Sequence, residues 1–380
     1  MITDNKNLSS SRQHEGPVRM AVVGQGHFAQ SAVLPAFDDV PECELVALFS
    51  GDDTKLDFLK RTYDVPYALG YEQYDQFLRS GEVDAVYIAL PNDLHCDFAV
   101  RAAAAGIHVL CEKPMAATSA ECEQMIEACE LTKVKLMVAY RLHFDEGNLA
   151  VVDLVRQGKL GQPRFMTSVF SQQVSAHNSR TEARHSQDPL YDVGVYCINA
   201  IRYVFRSEPL SVMAHAASRQ GDPRFRQIDE QLSATLLFPD DRLATLVCSF
   251  GAAKHGWYEV VGTEGIVRVD PAYTNAQPLR YELTVNGKTK SKKFKRRDQV
   301  AGELAYFATC IMNDQAPEPA GEEGLADLRI IEAIQESVRT GRRVAVDAVE
   351  TRVRPSSAQV EKRPAKDPGP LVNTQTPSRH

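Results

Sequence analysis

An α/β fold in two domains is predicted: a doubly wound parallel sheet, then an α+β domain on a large, mainly antiparallel sheet with one open face. Three observations on the 380-residue sequence predict it. Short apolar runs alternate with helix-length segments up to Tyr140. After about Gly161 the texture changes to alternating runs joined by turn residues. An amphipathic helical stretch closes that second part.

The early apolar runs cover residues 18–23, 45–49, 83–90, 108–111 and 135–140, with helix-length stretches such as 93–105 and 119–131 between them. Continuous apolar strands separated by helices imply a parallel sheet covered on both faces. Parallel neighbours need crossovers, and these are right-handed. The later runs cover 165–174, 212–218, 232–238, 243–250, 266–269 and 281–285. Pro239-Asp240-Asp241, Thr263-Glu264-Gly265 and Asn286-Gly287 punctuate them; Asn-Gly suits a two-residue hairpin because both residues tolerate positive φ. The lysines at 288, 290, 292, 293 and 295, with Arg296 and Arg297, follow that hairpin and suit a charge-protected edge strand. Leu325, Leu328, Ile331 and Val338 share one helical face ahead of Gly341. These readings divide the chain into a flexible arm (1–16), a first domain (17–141), a second domain (142–349) and a disordered, Pro/Ser-rich tail (350–380).

Bulk composition excludes several classes. A net charge of −7 argues against nucleic acid or an anionic membrane as the main partner. No apolar run reaches the ~20 residues that a membrane helix needs. The eight cysteines show no paired spacing and sit mostly in apolar segments, as buried reduced thiols do; a cytoplasmic location follows, with no structural metal.

Gly24-Gln25-Gly26-His27-Phe28-Ala29 follows the first strand and opens a helix. The first glycine permits the tight turn, the second lets a pyrophosphate approach the backbone, and the small third position allows helix and strand to pack. This is the fingerprint of a Rossmann dinucleotide domain. At the end of the second strand an NAD site usually places a carboxylate for the ribose 2′-hydroxyl. Here the stretch is Ser50-Gly51-Asp52-Asp53-Thr54-Lys55. Ser50 can donate to a 2′-phosphate and Lys55 can neutralise it, which favours NADP. Asp52 and Asp53 oppose that reading unless they cap the next helix.

Further segments fall at carboxyl ends of strands, where such sheets gather their sites. They are Leu90-Pro91-Asn92-Asp93-Leu94-His95, Cys111-Glu112-Lys113-Pro114 and Tyr140-Arg141-Leu142-His143; Asp192-Val193-Gly194-Val195-Tyr196 opens a helix of the second domain. Taken singly these have bland readings: a solvated Lys-Pro turn, an aspartate N-cap, a core tyrosine. Together, and in this order, the chain resembles the glucose-fructose oxidoreductase / inositol dehydrogenase / rhizopine catabolism superfamily, within it the glucose-fructose oxidoreductase branch. The resemblance runs from about Val18 to Val344 and is densest at 84–92, 111–116 and 192–196, returning at Gly321-Glu322-Glu323-Gly324.

The resemblance implies that Lys113 is the central catalytic residue, that Asp192 orients or charge-balances it, and that Tyr196 relays the proton. It implies that Asn92 and His95 lie near the nicotinamide ribose and that Leu90, Pro91, Glu112 and Arg141 belong to the same site, Arg141 near the substrate pocket. A lysine beside a cationic nicotinamide and partly desolvated is expected to have a lowered pKa. His177, Arg180 and Arg184 fall in a polar segment between the domains that could reach substrate, with solvated loop residues the preferred reading, and His27, His143, His177 and His185 have no metal-ligand spacing. One departure stands out: the family places paired glycines ahead of the aspartate, where this chain has Gln187-Asp188-Pro189-Leu190-Tyr191, and proline forbids the same backbone path.

The function so implied is hydride transfer between NADP(H) and C1 of an aldose or a related polyol, as ordinary dehydrogenation or as a ping-pong exchange on a retained cofactor. The alternatives are a dihydrodiol-type or other alcohol dehydrogenase, and a cofactor-sensing regulator on the same fold. The open sheet face further predicts a homodimer or homotetramer.

Overall fold

The computed structural model describes residues 16–176, 178–181, 188–349, 353–369 and 371–375. The expected arm up to residue 15, together with His177, Arg184, His185 and Gln187, lies outside the described residues.

Six parallel strands form the first sheet: β1 (Val18–Val23), β2 (Cys43–Phe49), β3 (Tyr67–Leu69), β4 (Ala85–Ile88), β5 (His108–Glu112) and β6 (Leu136–Ala139), in the order β3-β2-β1-β4-β5-β6. The order reverses between β1 and β4, so a crevice opens outside their carboxyl ends. Strands β1 and β4 are almost wholly buried, as continuous apolar runs require when helices cover both faces. The strand β3 has only three residues, none of them buried, and carries no periodic signal in the sequence.

The second sheet has nine strands: β7 (Pro163–Ser171), β8 (Ser211–Ala217), β9 (Gln231–Phe238), β10 (Arg242–Ser249), β11 (His255–Gly262), β12 (Gly265–Val269), β13 (Arg280–Val285), β14 (Lys288–Lys293) and β15 (Val344–Ala345). Their order is β14-β13-β12-β11-β7-β10-β9-β8-β15, antiparallel except for the β7/β10 pair. The lysine-rich strand β14 lies at the edge, exposed along its whole length, and the Asn286-Gly287 turn joins it to β13. One face of the sheet packs on helices Val195–Phe205 and Gly321–Thr340; Phe165, Leu243, Val247 and Ile266 are exposed on the other.

The tail corrects an expectation. Residues 353–369 and 371–375 have defined contacts: Gln359 is buried with its amide on Glu318, Arg363 pairs with Glu42, and Val372 bonds Gln30. A segment without apolar periodicity holds its course here through polar contacts to elements far away in sequence.

Candidate active site

Gly24 ends β1 with φ +96°, a conformation costly for any residue with a Cβ. A Cβ there would come within 2.6 Å of the Ala89 carbonyl oxygen and 3.1 Å of Leu90, so the glycine also lets β1 approach the end of β4. At Gly26 a Cβ would meet nothing within 4 Å, which leaves the backbone open to a pyrophosphate. His27 and Phe28 follow on the same turn, half-buried, and the Phe28 ring packs on the first-domain core. The residues present therefore fit a dinucleotide.

At the end of β2, Asp52 is the N-cap of helix Asp53–Tyr63: its Oδ1 accepts the Lys55 N–H at 3.1 Å, and its own N–H donates to Ser50 Oγ at 3.1 Å. The capping alternative for this carboxylate is thus the one the structure takes. Gly51 faces Tyr71, 3.5 Å from where a Cβ would lie. Pro91 and Asn92 open a short turn of helix at the end of β4, Pro91 exposed and Asn92 half-buried.

Glu112 ends β5 and Lys113 follows it toward the second domain. The Lys113 Nζ donates to the Asp192 carbonyl at 3.0 Å and to Asp192 Oδ1 at 3.2 Å. Glu112 accepts from the Tyr87 hydroxyl at 2.7 Å and from the Lys113 N–H at 3.1 Å; burial raises its pKa. Lys113 Nζ lies 4.8 Å from the centre of the Tyr196 ring, and the Arg141 guanidinium lies 5.0 Å from the same centre. Arg141 Nε donates to the Tyr196 hydroxyl at 3.2 Å. Lys113, Asp192, Tyr196 and Arg141 are therefore one constellation drawn from both domains. Lys113 and Tyr196 also line a cavity with Tyr140, Leu142, Val195, Asn199 and Tyr203.

Two expectations need correction. Lys113 does not have a lowered pKa: burial pushes it down, but Tyr196, Asp192 and Glu112 together outweigh burial and hold the ammonium above its ordinary range. His95 is fully buried, with Nδ1 3.1 Å from the Pro114 carbonyl and Nε2 2.9 Å from the Leu90 carbonyl. The buried ring sits between these two strand-end loops, and as a neutral imidazole it donates to one of the two carbonyls, so His95 braces the site from behind. Arg141 lies with Tyr196, Gln299 and the Tyr273 carbonyl.

Arg180 was read as a solvated loop residue and is not one. Its Nε donates to Asp192 Oδ2 at 2.7 Å, beside Gln172 Nε2 at 3.1 Å. Burial raises the Asp192 pKa, but Arg180 and Lys113 win and hold the carboxyl well below its usual range. The Arg180 charge also reaches the glycine turn, adding to burial in lowering the His27 pKa. No local pattern in the sequence marks Arg180; only the fold brings it to Asp192. The departure ahead of Asp192 has a local role: Asp188 Oδ1 accepts the Leu190 and Tyr191 N–H groups at 2.8 and 3.1 Å and so caps the helical segment Leu190–Gly194.

Comparison with known proteins agrees with this architecture. Residues 18–140 match a family model described as oxidoreductase family, NAD-binding Rossmann fold, and residues 148–268 match the GFO/IDH/MocA C-terminal domain. The chain is 32% identical over 352 residues to D-xylose 1-dehydrogenase [NADP(+)] of Haloarcula marismortui, covering 90% of this chain and 97% of that one. It is 30% identical over 330 residues to D-xylose 1-dehydrogenase (NADP(+)) 2 of Haloferax volcanii, covering 86% and 99%. Among solved structures, aldose-aldose oxidoreductase from Caulobacter crescentus complexed with glycerol superposes with a TM-score of 0.83 at 34% identity, over 87% of this chain and 100% of that one.

Proposed function

The chain belongs to the GFO/IDH/MocA oxidoreductase family and is an NADP-dependent sugar oxidoreductase; from that premise we propose that it passes hydride between nicotinamide and C1 of an aldose or a related polyol. The observation that carries this reading is the Lys113–Asp192 pair, closed across the two domains beside the Tyr196 ring. When bound, NADP supplies the hydride acceptor for sugar oxidation. The glycine turn at Gly24 and Gly26, with His27 and Phe28, holds it; Ser50, Gly51 and Lys55 receive its 2′-phosphate end, and Leu90, Pro91, Asn92 and Glu112 line the nicotinamide end.

Oxidation also releases the hydroxyl proton of the sugar, and Lys113 Nζ takes it only in its free-amine form, the form that rising pH enlarges because its neighbours favour the ammonium. Asp192 positions that amine through its carboxylate and carbonyl. Arg180 binds the other carboxylate oxygen, so Asp192 is divided between two cations and holds the Lys113 proton less tightly than an undivided carboxylate would. Tyr196 accepts from Arg141 and acts as the relay, taking the proton from the sugar oxygen as it passes its own on toward Lys113. The exposed sheet face bearing Phe165, Leu243, Val247 and Ile266 serves a second copy of the chain. All eight cysteines are free and buried, in keeping with a cytoplasmic enzyme.

An absorbance spectrum of purified, desalted protein, repeated with a panel of aldoses, tests this reading. A reduced-nicotinamide band that appears with one sugar and fades with another identifies exchange on a retained cofactor. Steady turnover only with added NADP⁺ identifies a conventional dehydrogenase. No band and no turnover with any aldose or polyol overturns the sugar assignment.

A further inference from the structure

The end of the chain returns to the cofactor turn. Arg363 bonds Glu42 at 2.7 Å and the Asp39 carbonyl at 3.1 Å, and Lys366 pairs with Asp38 and Asp39 at 3.1 and 3.2 Å. The segment is thereby fastened along the first domain before it reaches Val372. Val372 then meets Gln30, a buried residue of the helical segment that opens after the glycine turn. The Gln30 amide is used at both ends. Its Oε1 accepts the Val372 N–H at 2.9 Å, while its Nε2 donates to the Val372 carbonyl at 3.0 Å and to the Gln25 carbonyl, inside the turn, at 2.9 Å. One residue later, Asn373 Nδ2 donates to Asp52 Oδ2 at 3.1 Å.

We propose that residues 371–373 belong to the cofactor site, as a latch on its adenosine end, and that Asn373 is a cofactor-specificity residue. The inference rests on the NADP reading above and extends it to residues from the far end of the chain. Asp52 stands just past β2, where a carboxylate would accept from the ribose 2′-hydroxyl of NAD and repel a 2′-phosphate. Here both of its oxygens are engaged, one by the first turn of the helix and one by Asn373. The Ser50 hydroxyl and the Lys55 ammonium are then the groups left to answer a phosphate. Because Val372 and Asn373 grip the glycine turn and the acidic position together, nucleotide binding and tail docking are linked: what favours one favours the other by the same factor.

Four proteins test this: the full chain, a chain ending at Gly369, and the full-length Asn373→Asp and Asn373→Ala variants. The readouts are the nucleotide carried through desalting, the Kd for NADP⁺ and for NAD⁺, and the release rate of NADPH followed by its fluorescence. Removing residues 370–380 is expected to speed NADPH release on the order of tenfold, the loss of one or two hydrogen bonds. Asn373→Asp sets a second carboxylate beside Asp52 and is expected to weaken NADP⁺ by about tenfold while sparing NAD⁺. Thermal melts of the nucleotide-free proteins separate these effects from unfolding, and Asn373→Ala, which keeps the Val372 bonds, reports on the specificity role even if the shortened chain is unstable. If the shortened chain and Asn373→Asp both hold NADP⁺ as the full chain does, the latch is overturned and the NADP reading stands. A full chain that prefers NAD⁺ overturns the NADP reading itself.

Discussion

Helix Val195–Phe205 carries an ionic cluster at each end, and the two clusters differ in what they leave free. At its start, Tyr196 adjoins Lys113, Asp192, Arg180 and Arg141, in a cleft where the Lys113 and Asp192 side chains keep 13% and 18% of their exposure. Two turns on, Arg202 is fully buried among Glu208, Glu323 and Asp327. Arg202 spends its Nε, Nη1 and Nη2 on those three carboxylates, with distances from 2.6 to 3.1 Å. Asp327 in turn accepts from Tyr140 at 2.5 Å and from Asn199 at 3.1 Å, and Arg354 joins Glu208 from the C-terminal segment. Both clusters perturb pKa values. The first sets Lys113 and Tyr196 on the wall of a cavity and leaves Lys113 and Asp192 partly exposed, whereas Arg202 and Asp327 are fully buried. Perturbation alone therefore does not identify chemistry; perturbation with an accessible proton does.

The largest expected effect separates the two clusters by stability. Arg202→Met takes the shared cation from three carboxylates, leaving Asp327 without one while Arg354 still reaches Glu208 and Glu323, and should cost about 3–5 kcal/mol in urea unfolding, as breaking a buried ion pair does. The sign of its pH dependence follows from Asp327, whose pKa burial pushes up to about 6 despite Arg202. A carboxyl raised in the folded state binds more protons there than in the unfolded chain, so its contribution to stability falls as pH rises toward 6. The deficit of the variant should therefore widen from pH 5 to pH 7; a deficit that narrows would contradict this account.

Next in size, Lys113→Ala and Tyr196→Phe should each lower turnover by about 100-fold, some 2.7 kcal/mol, with urea midpoints and NADP⁺ affinity near those of the parent. Near-normal turnover in either variant removes that residue from the chemistry.

The smallest effect is the most particular. Arg180→Gln removes a positive charge that disfavours the Lys113 ammonium and returns Asp192 wholly to it. The Lys113 pKa should then rise, so the limb of kcat/KM for sugar oxidation that needs free amine should move to higher pH by about one unit, or 1.36 kcal/mol. A lower rate with an unmoved profile would make Arg180 a purely structural contact.

Much of this was legible from local pattern. Gly24 and Gly26, the apolar runs of β1, β2, β4, β5 and β6, the Asn286-Gly287 hairpin and the lysine edge of β14 depend on turn chemistry and periodicity within a few residues. Other elements were not. Strand β3 is too short to show a period, and β11 carries glycine at both ends of its mixed run, His255–Gly262. The family resemblance implied that His95 lies near the nicotinamide ribose; the structure turns its ring inward, between the Leu90 and Pro114 carbonyls.

The residue order already contained the two-domain architecture and the nucleotide turn, which rest on periodicity and short-range stereochemistry, and the candidacy of Lys113, Asp192 and Tyr196, which the family resemblance implied. Tertiary structure alone decided that Arg180 shares Asp192 with Lys113, that Arg141 faces Tyr196, and that Asn373 answers Asp52. Those pairings join residues 12 to 321 positions apart. Electrostatic and hydrogen-bond energies depend on separation in space and on burial, and the fold sets both.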